Sequence, residues 1–148
     1  GLSFRMNDDF GKVEYVGRGD VETYNDRKQA GLIGHYNTTA EAMFHYYVKP
    51  QATGNRTDVR WVKFSDTKNQ LMVAAQQPFQ FSVIPFSDSV VDRATHINQL
   101  DRDVKVTVHL DALQSGVGTA TCGPGVAEQY RVPVKRTTFS FVLYPFAK

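Results

Sequence analysis

Alternation of apolar and polar side chains is the feature that most restricts the fold of this chain. Residues 104–110 read Val-Lys-Val-Thr-Val-His-Leu, so every second residue is apolar. Apolar residues at similar spacing mark further candidate strands at 59–64, 79–83 and 139–143. Because successive side chains of a strand point to opposite faces, this pattern predicts strands with one buried face. Strands of this kind favour an all-β fold.

Shorter apolar runs predict more strands, and turn-forming residues separate all of them. Clusters of Asn, Asp and Gly occur between the runs, where they favour turns. Regular short strands with such separators predict an antiparallel β-sandwich. The shorter candidate strands are 2–6, 13–16, 30–36, 71–75 and 129–132.

One short helix is predicted near residues 87–95. Ser87 or Asp88 can cap its N-terminus, and apolar residues follow at helical spacing. The chain contains no internal repeat and no linker-like stretch. We therefore expect residues 1–148 to form a single domain.

Composition excludes some classes of partner. The chain has 17 Lys and Arg against 15 Asp and Glu, a formal net charge of +2, whereas a nucleic-acid platform would show a clustered basic surplus. No apolar run reaches the roughly 18 residues of a membrane-spanning helix. A single cysteine, Cys122, excludes an internal disulfide and fits a cytoplasmic protein. Because the first residue is Gly1 rather than Met, we expect the chain to be a piece of a longer protein.

Residues 116–125, the glycine-rich loop, form the most unusual stretch. They read Gly-Val-Gly-Thr-Ala-Thr-Cys-Gly-Pro-Gly, and this density of glycine and proline prevents a regular helix or strand. Two interpretations stay open. The residues alone favour a long turn between strands, and the alternative is a shaped loop that presents Thr121 and Cys122 to a ligand or partner.

No residue is marked as catalytic. Cys122 would need a neighbouring His to act as a nucleophile, and a small apolar filler is the preferred interpretation. With no second cysteine, a zinc site has no support. For Trp61 a core position is preferred over a sugar-stacking role, and the stretch from Arg56 to Trp61 offers a buried Arg–Asp pair or a positive anchor. The available acids are Glu14, Asp20, Glu22, Asp26, Asp58 and Asp111, and the histidines are His35, His45, His96 and His109.

Four segments, in order, resemble family 2 glycoside hydrolases of the β-galactosidase type. The first segment (15–31, YVGRGDVETYNDRKQAG) is similar to their W-x-G-x-G-P-x-E-x-Y-x-D-R stretch. The second segment (47–61, YVKPQATGNRTDVRW) resembles Y-V-x-P-Q-E-x-G-N-R-x-D-V-R-W. ATHINQL at 94–100 and GVGTATCGPGVAEQYRV at 116–132 follow in family order. The chain departs from the family pattern at Asp20, Asn25 and Ala52.

The resemblance implies a place within a bacterial enzyme. The family's last domain is an all-β, galactose-mutarotase-like supersandwich about twice this length, so the chain would be its C-terminal half. In some bacteria this part belongs to a separate small subunit. The partner would be the catalytic portion of the same β-galactosidase, in the same chain or a large subunit, which hydrolyses β-galactosides such as lactose. The catalytic glutamates and the magnesium and sodium ligands lie mostly in an earlier barrel domain of the family, and none maps onto this sequence.

The resemblance also implies a substrate-binding role for the glycine-rich loop. In relatives the tip of this loop reaches the mouth of the active site, which makes Gly118, Thr121, Cys122 and Gly123 the implied site residues. Many relatives carry a sugar-stacking Trp where Cys122 stands. Cysteine has no aromatic face, so here the contact would come from the backbone and a small side chain.

Two other functions compete with this interpretation. A stand-alone carbohydrate-binding module is motivated by the sandwich pattern and by Trp61. An aldose 1-epimerase shares the sandwich type but needs a His/Glu acid–base pair across a sugar cleft, and the sequence marks no such pair. For a half-domain we also expect an exposed apolar face and self-association.

Overall fold

The computed structural model describes residues 1–118 and 123–147. Within them, seven strands form one antiparallel sheet, which confirms the all-β prediction. Thr121 and Cys122 lie outside the described residues. The strands are β1 (Leu2–Asn7), β2 (Lys12–Gly19), β3 (Leu32–Thr39), β4 (Arg56–Ser65), β5 (Asn69–Ile84), β6 (Lys105–Asp111) and β7 (Phe141–Ala147), and the helices are α1 (Ala40–Met43) and α2 (Asp88–Arg93).

The sheet is sandwich-like because it curves around one core. Its strand order is β1-β6-β5-β4-β2-β3, and β7 pairs with β5 beside this path. The first half of β5 pairs with β4 and β7, while its second half pairs with β4 and β6. Phe4 of β1 and Tyr36 of β3 come from opposite ends of the strand order, yet both pack against the same apolar cluster. A flat sheet would keep these strands far apart.

The predicted period of two holds along β6. Val106, Val108 and Leu110 are fully buried in the core, and His109 lies on the other face. Each such side chain contributes about 1.5–3 kcal/mol through burial. Val104 precedes the strand and is 77% exposed, so its predicted place on the buried face is wrong.

β5 corrects the prediction of two separate strands at 71–75 and 79–83. A single strand of 16 residues spans both. Gln76, Gln77 and Pro78 are exposed, and they fall where the pairing with β4 shifts register. Because an irregular stretch needs no ladder N–H from these residues, it accommodates Pro78 without ending the strand.

The same irregularity decides the position of Trp61. Val59 points into the core, and strict alternation would send Trp61 there as well. The register shift between Val59 and Trp61 reverses the parity, so Val62 and Phe64 are buried instead. Trp61 is half-buried on the outer face with its ring centroid 5.6 Å from that of His35. The core interpretation of Trp61 is therefore wrong.

The predicted helix is present as α2. Ser87 occupies its N-cap position, although its side chain makes no capping hydrogen bond. α2 ends at Arg93, slightly before the predicted end, and buries Val91 against Phe44 and Phe86. No helix in residues 1–118 and 123–147 has the length and apolarity needed to cross a membrane.

One predicted strand is absent, and one short helix was not predicted. The candidate strand at 129–132 is instead a short 3-10 turn, Glu128–Tyr130.

The segment that forms α1 has too few apolar residues at helical spacing to predict a helix. It forms because the Thr39 hydroxyl accepts the Ala42 N–H at 3.1 Å and because Ala40 and Met43 are buried.

Candidate functional site

The first and second segments meet at the carboxylate of Glu22. Its Oε2 accepts the Thr53 hydroxyl at 2.8 Å and the Gly54 N–H at 3.0 Å. Its Oε1 accepts the Tyr47 hydroxyl and the Arg27 guanidinium. The Tyr24 hydroxyl also donates to Oε2, at 3.3 Å. Five donors from two separate parts of the chain thus converge on one acid.

Glu22 acts as a fixed acceptor, and its side chain is only 9% exposed. Burial alone would raise the pKa of its carboxyl group, but the hydrogen bonds from Tyr47, Gly54 and Thr53 and the charge of Arg27 outweigh burial. The net result is a lowered pKa, so Glu22 is ionised at neutral pH. A general acid would need the opposite shift.

We expect Gly54→Ala to destabilise the chain by about 2–3 kcal/mol. Gly54 has a φ of +79°, and an added Cβ would lie 2.5 Å from the Met43 carbonyl oxygen. Urea unfolding measures the effect. Gly125→Ala is the matched control, because a Cβ there meets nothing within 4 Å, and it should change stability by less than about 0.5 kcal/mol. Equal stabilities for the two variants would contradict the strain at Gly54.

Arg56 joins the same two segments from inside the protein. The residue is 3% exposed. Its Nε donates to the Tyr15 hydroxyl at 2.9 Å, and its Nη atoms donate to the carbonyls of Gly54 at 3.1 Å and Asp20 at 2.8 Å. Neutral oxygens therefore surround this cation. Of the two roles predicted for the stretch 56–61, Arg56 takes that of the positive anchor.

The pairing with aspartate is made by Arg18 instead. Its Nε donates to Asp58 Oδ2 at 2.5 Å, and its Nη1 donates to the Gly31 carbonyl at 2.9 Å. Asp58 has a φ of 54°, a conformation that non-glycine residues adopt rarely. The Arg18–Asp58 pair therefore joins the first segment to the irregular stretch of β4.

A chain of amide side chains runs from the core strand β5 toward the glycine-rich loop. Asn55 Nδ2 donates to the Thr23 carbonyl at 2.8 Å and to Gln80 Oε1 at 2.9 Å. Gln80 Nε2 donates to Asn25 Oδ1 at 3.2 Å, and Asn25 Nδ2 donates to the Gln114 carbonyl. Asn25, which departs from the family pattern, is thus the last link before the loop.

Asp26 holds the beginning of the glycine-rich loop. Its Oδ1 accepts the Val117 N–H at 2.9 Å, and its Oδ2 accepts the Gly118 N–H at 2.7 Å. Gly118 has a φ of +62°. Of the implied site residues, Gly118 therefore lies in this anchored part and Gly123 is exposed. Thr121 and Cys122 fall outside the described residues.

The two arms of the loop are also tied to each other. The Gly116 N–H donates to the Tyr130 carbonyl at 3.1 Å, and the Val132 N–H donates to the Ser115 hydroxyl at 3.3 Å. The described ends of the glycine-rich loop are therefore held together, and its role in presenting Thr121 and Cys122 stays a prediction.

Sequence reasoning missed the roles of Glu22 and Asp26. Both stood among six available acids with nothing to separate them. Asp26 lies in a tight turn, since Tyr24 and Arg27 exchange backbone hydrogen bonds at 3.1 and 2.9 Å. A usable signal was the position of both acids in a segment that resembles a family motif.

Two of the four histidines contact an acid. His35 Nε2 lies 2.8 Å from Glu14 Oε1, and His109 Nε2 lies 3.0 Å from Asp88 Oδ1. Each pair is in direct contact, so it leaves no space for a sugar between acid and base. In the described part of the chain, no three His, Cys, Asp or Glu residues come together as a metal site would require.

A family model and several curated proteins match this chain, and all of them are described as beta-galactosidases or their small chain. A family model described as the beta galactosidase small chain matches residues 1–143. A beta-galactosidase of Staphylococcus xylosus is 29% identical over 143 residues, which cover 97% of this chain and 14% of that protein. Beta-galactosidases of Actinobacillus pleuropneumoniae and Kluyveromyces lactis are each 33% identical, covering 89% and 97% of this chain and 13% and 14% of those proteins.

The chain thus spans about one seventh of the length of these curated relatives. The family match extends over nearly every residue, including the first and second segments and the glycine-rich loop. On this match, the chain belongs to the beta galactosidase small chain family.

Proposed function

We propose that this chain is a non-catalytic segment of a larger β-galactosidase that hydrolyses terminal β-D-galactosides. The observation that carries the proposal is the family match over residues 1–143, together with relatives that are named beta-galactosidases and are about seven times longer. Within that enzyme, residues 1–148 form a single unit, which is the C-terminal part of the enzyme's last domain. Its partner is the catalytic portion, in the same chain or in a large subunit.

The chemistry of the acids supports a non-catalytic role. A retaining glycosidase needs two carboxyl groups about 5 Å apart, one with a raised pKa. Here the pKa is lowered for Glu14, chiefly by the Lys63 ammonium, and for Asp103, chiefly by Arg5. It is lowered for Glu22 as well. In this proposal the catalytic glutamates, magnesium and sodium belong to the rest of the enzyme, which we place in the bacterial cytoplasm.

The glycine-rich loop is the part that we assign to the substrate site. Its anchored base at Gly118 supports this assignment, because a substrate-site loop needs a defined position relative to its scaffold. Thr121, Cys122 and Gly123 would then line the mouth of the site. A cysteine in place of an aromatic residue leaves backbone and small side chains to contact the sugar.

The proposal predicts that Cys122→Trp in the complete enzyme changes the KM for a nitrophenyl β-galactoside by several-fold, since an indole ring adds a stacking surface. Lys68→Trp is the control, because Lys68 lies in the β4–β5 turn at the opposite end of β4 from Arg56. Equal KM values for the two variants would mean that the loop does not reach the sugar.

The non-catalytic role has its own test. Turnover of a nitrophenyl β-galactoside by the isolated, purified chain would refute it.

A carbohydrate-binding module is the second candidate, and the position of Trp61 favours it. The indole lies on the outer face and is only half-buried, so part of its ring is open to a ligand. Titrating lactose against the isolated chain tests this function. Saturable binding that Trp61→Ala abolishes would support the module, and no binding would exclude it.

β7 offers a surface for assembly. Val142, Leu143, Tyr144 and Phe146 are each 40–54% exposed, on both faces of the strand. We propose that the remainder of the enzyme covers this surface, and that the isolated chain self-associates through it. Light scattering that finds only monomer at high concentration would contradict the self-association.

A further inference from the structure

The base of the glycine-rich loop is a backbone concavity that contains a carboxylate. The N–H groups of Val117 and Gly118 are consecutive, and both point at Asp26, at 2.9 and 2.7 Å. Consecutive N–H groups next to a left-handed residue form an anion-binding concavity, and Gly118 supplies that conformation with its φ of +62°. Hydrogen bonds to an ionised acceptor are about twice as strong as neutral ones.

The glycines of the loop fit this arrangement sterically. A Cβ on Gly116 would lie 2.4 Å from the Asp26 carboxylate, so a side chain at this position would push the anchor away. A Cβ on Gly118 would lie 2.9 Å from the backbone of Gly125 and of Val126. The residue that Asp26 holds therefore touches the far end of the loop, and one carboxylate fixes the spacing of both ends.

Asp26 is itself held on a rigid support. The neighbouring Asn25 is bonded to Gln80 of β5, and Tyr24 and Arg27 close the turn around it. Arg27 in turn donates to the nearly buried Glu22. A continuous set of hydrogen bonds thus connects the core to the base of the loop.

We infer that Asp26 is a positioning residue for the active-site loop of this β-galactosidase, an inference that rests on the proposed function of the loop. Asp26 acts through the backbone of Val117 and Gly118, not on the sugar itself. Asp26→Asn keeps the size of the side chain, but it removes the charge and places an NH2 donor against one of the two N–H groups. The loop then loses one anchoring bond, and the other becomes weaker.

The first measurement reports on the anchor. In the complete enzyme, hydrogen–deuterium exchange followed by mass spectrometry should show peptides containing Val117 and Gly118 exchanging about tenfold faster in Asp26→Asn than in the native protein. Asp20→Asn is the matched control, because it makes the same chemical change at an exposed position of the first segment, and it should leave this exchange unchanged. Unchanged exchange in Asp26→Asn would overturn the inference.

The second measurement reports on the substrate site. In Asp26→Asn we expect the KM for a nitrophenyl β-galactoside to rise several-fold while kcat changes less than about twofold, because the chemistry lies elsewhere. Faster exchange with an unchanged KM would support Asp26 as the anchor of the loop. It would contradict the proposal that the loop lies at the sugar. If Asp26→Asn fails to fold, Asp26→Glu takes its place. Glutamate retains the charge, so it should recover part of the exchange protection, and a complete loss would overturn the inference.

Discussion

Replacing Arg56 by alanine should lower the free energy of unfolding by about 3–4 kcal/mol, because it removes a buried cation that donates several hydrogen bonds. The Tyr15 hydroxyl and the carbonyls of Gly54 and Asp20 would lose their donor in a site where Arg56 is 3% exposed. Buried acceptors without partners carry their full desolvation cost. The missing side chain also leaves a cavity between the first and second segments.

Urea unfolding of Arg56→Ala and Arg60→Ala tests this expectation. Arg60 lies on the same strand, is exposed and donates to the Asp58 carbonyl at 3.3 Å, so its loss should cost less than about 0.5 kcal/mol. Arg56→Lys separates charge from geometry, since one ammonium cannot reach all of these acceptors. Similar effects at Arg56 and Arg60 would show that the buried bonds contribute little.

Glu22→Gln should destabilise the chain by about 2–3 kcal/mol at neutral pH. Gln keeps one acceptor oxygen but places an NH2 donor against at least two of the five groups that donate to Glu22. Glu41→Gln is the control, because Glu41 also accepts a tyrosine hydroxyl, from Tyr46 at 2.6 Å, but is exposed. That variant should lose less than about 1 kcal/mol.

The effect of Glu22 should depend on pH in a defined direction. Its folded pKa is lowered, so its contribution is complete above the ordinary glutamate pKa of about 4.3. The contribution is lost as the pH falls from there through the lowered folded pKa. The stability difference between the native chain and Glu22→Gln should therefore shrink in acid. A difference that stays constant from pH 7 to below the folded pKa would contradict the ionised Glu22.

Strand positions followed from local sequence wherever the alternation was regular. β6 was predicted closely, because its apolar residues repeat without interruption and face one core. The continuity of β5 and the outward position of Trp61 were not predicted, because both depend on the irregular pairing near Pro78 and Val59. An irregular pairing is a relation between two strands, and neither strand alone records where the parity changes.

In the candidate site, too, local sequence predicted some features and the fold decided others. The motif resemblance singled out the first segment, the second segment and the glycine-rich loop as related to one family. It did not reveal that Glu22 receives donors from the second segment or that Asp26 holds the loop. These contacts join residues that are about 30 and 90 positions apart. Local patterns carry no information about such distant partners.

What the sequence by itself determined is the all-β class, the place of α2, the buried face of β6 and the family resemblance, since each follows from neighbouring residues or from motif order. The tertiary structure decided which acids have a structural task. Asp20, Glu22 and Asp26 lie within one segment, yet burial and converging donors distinguish Glu22, and two backbone N–H groups distinguish Asp26. The role of a carboxylate depends on what surrounds it, and folding brings those surroundings together.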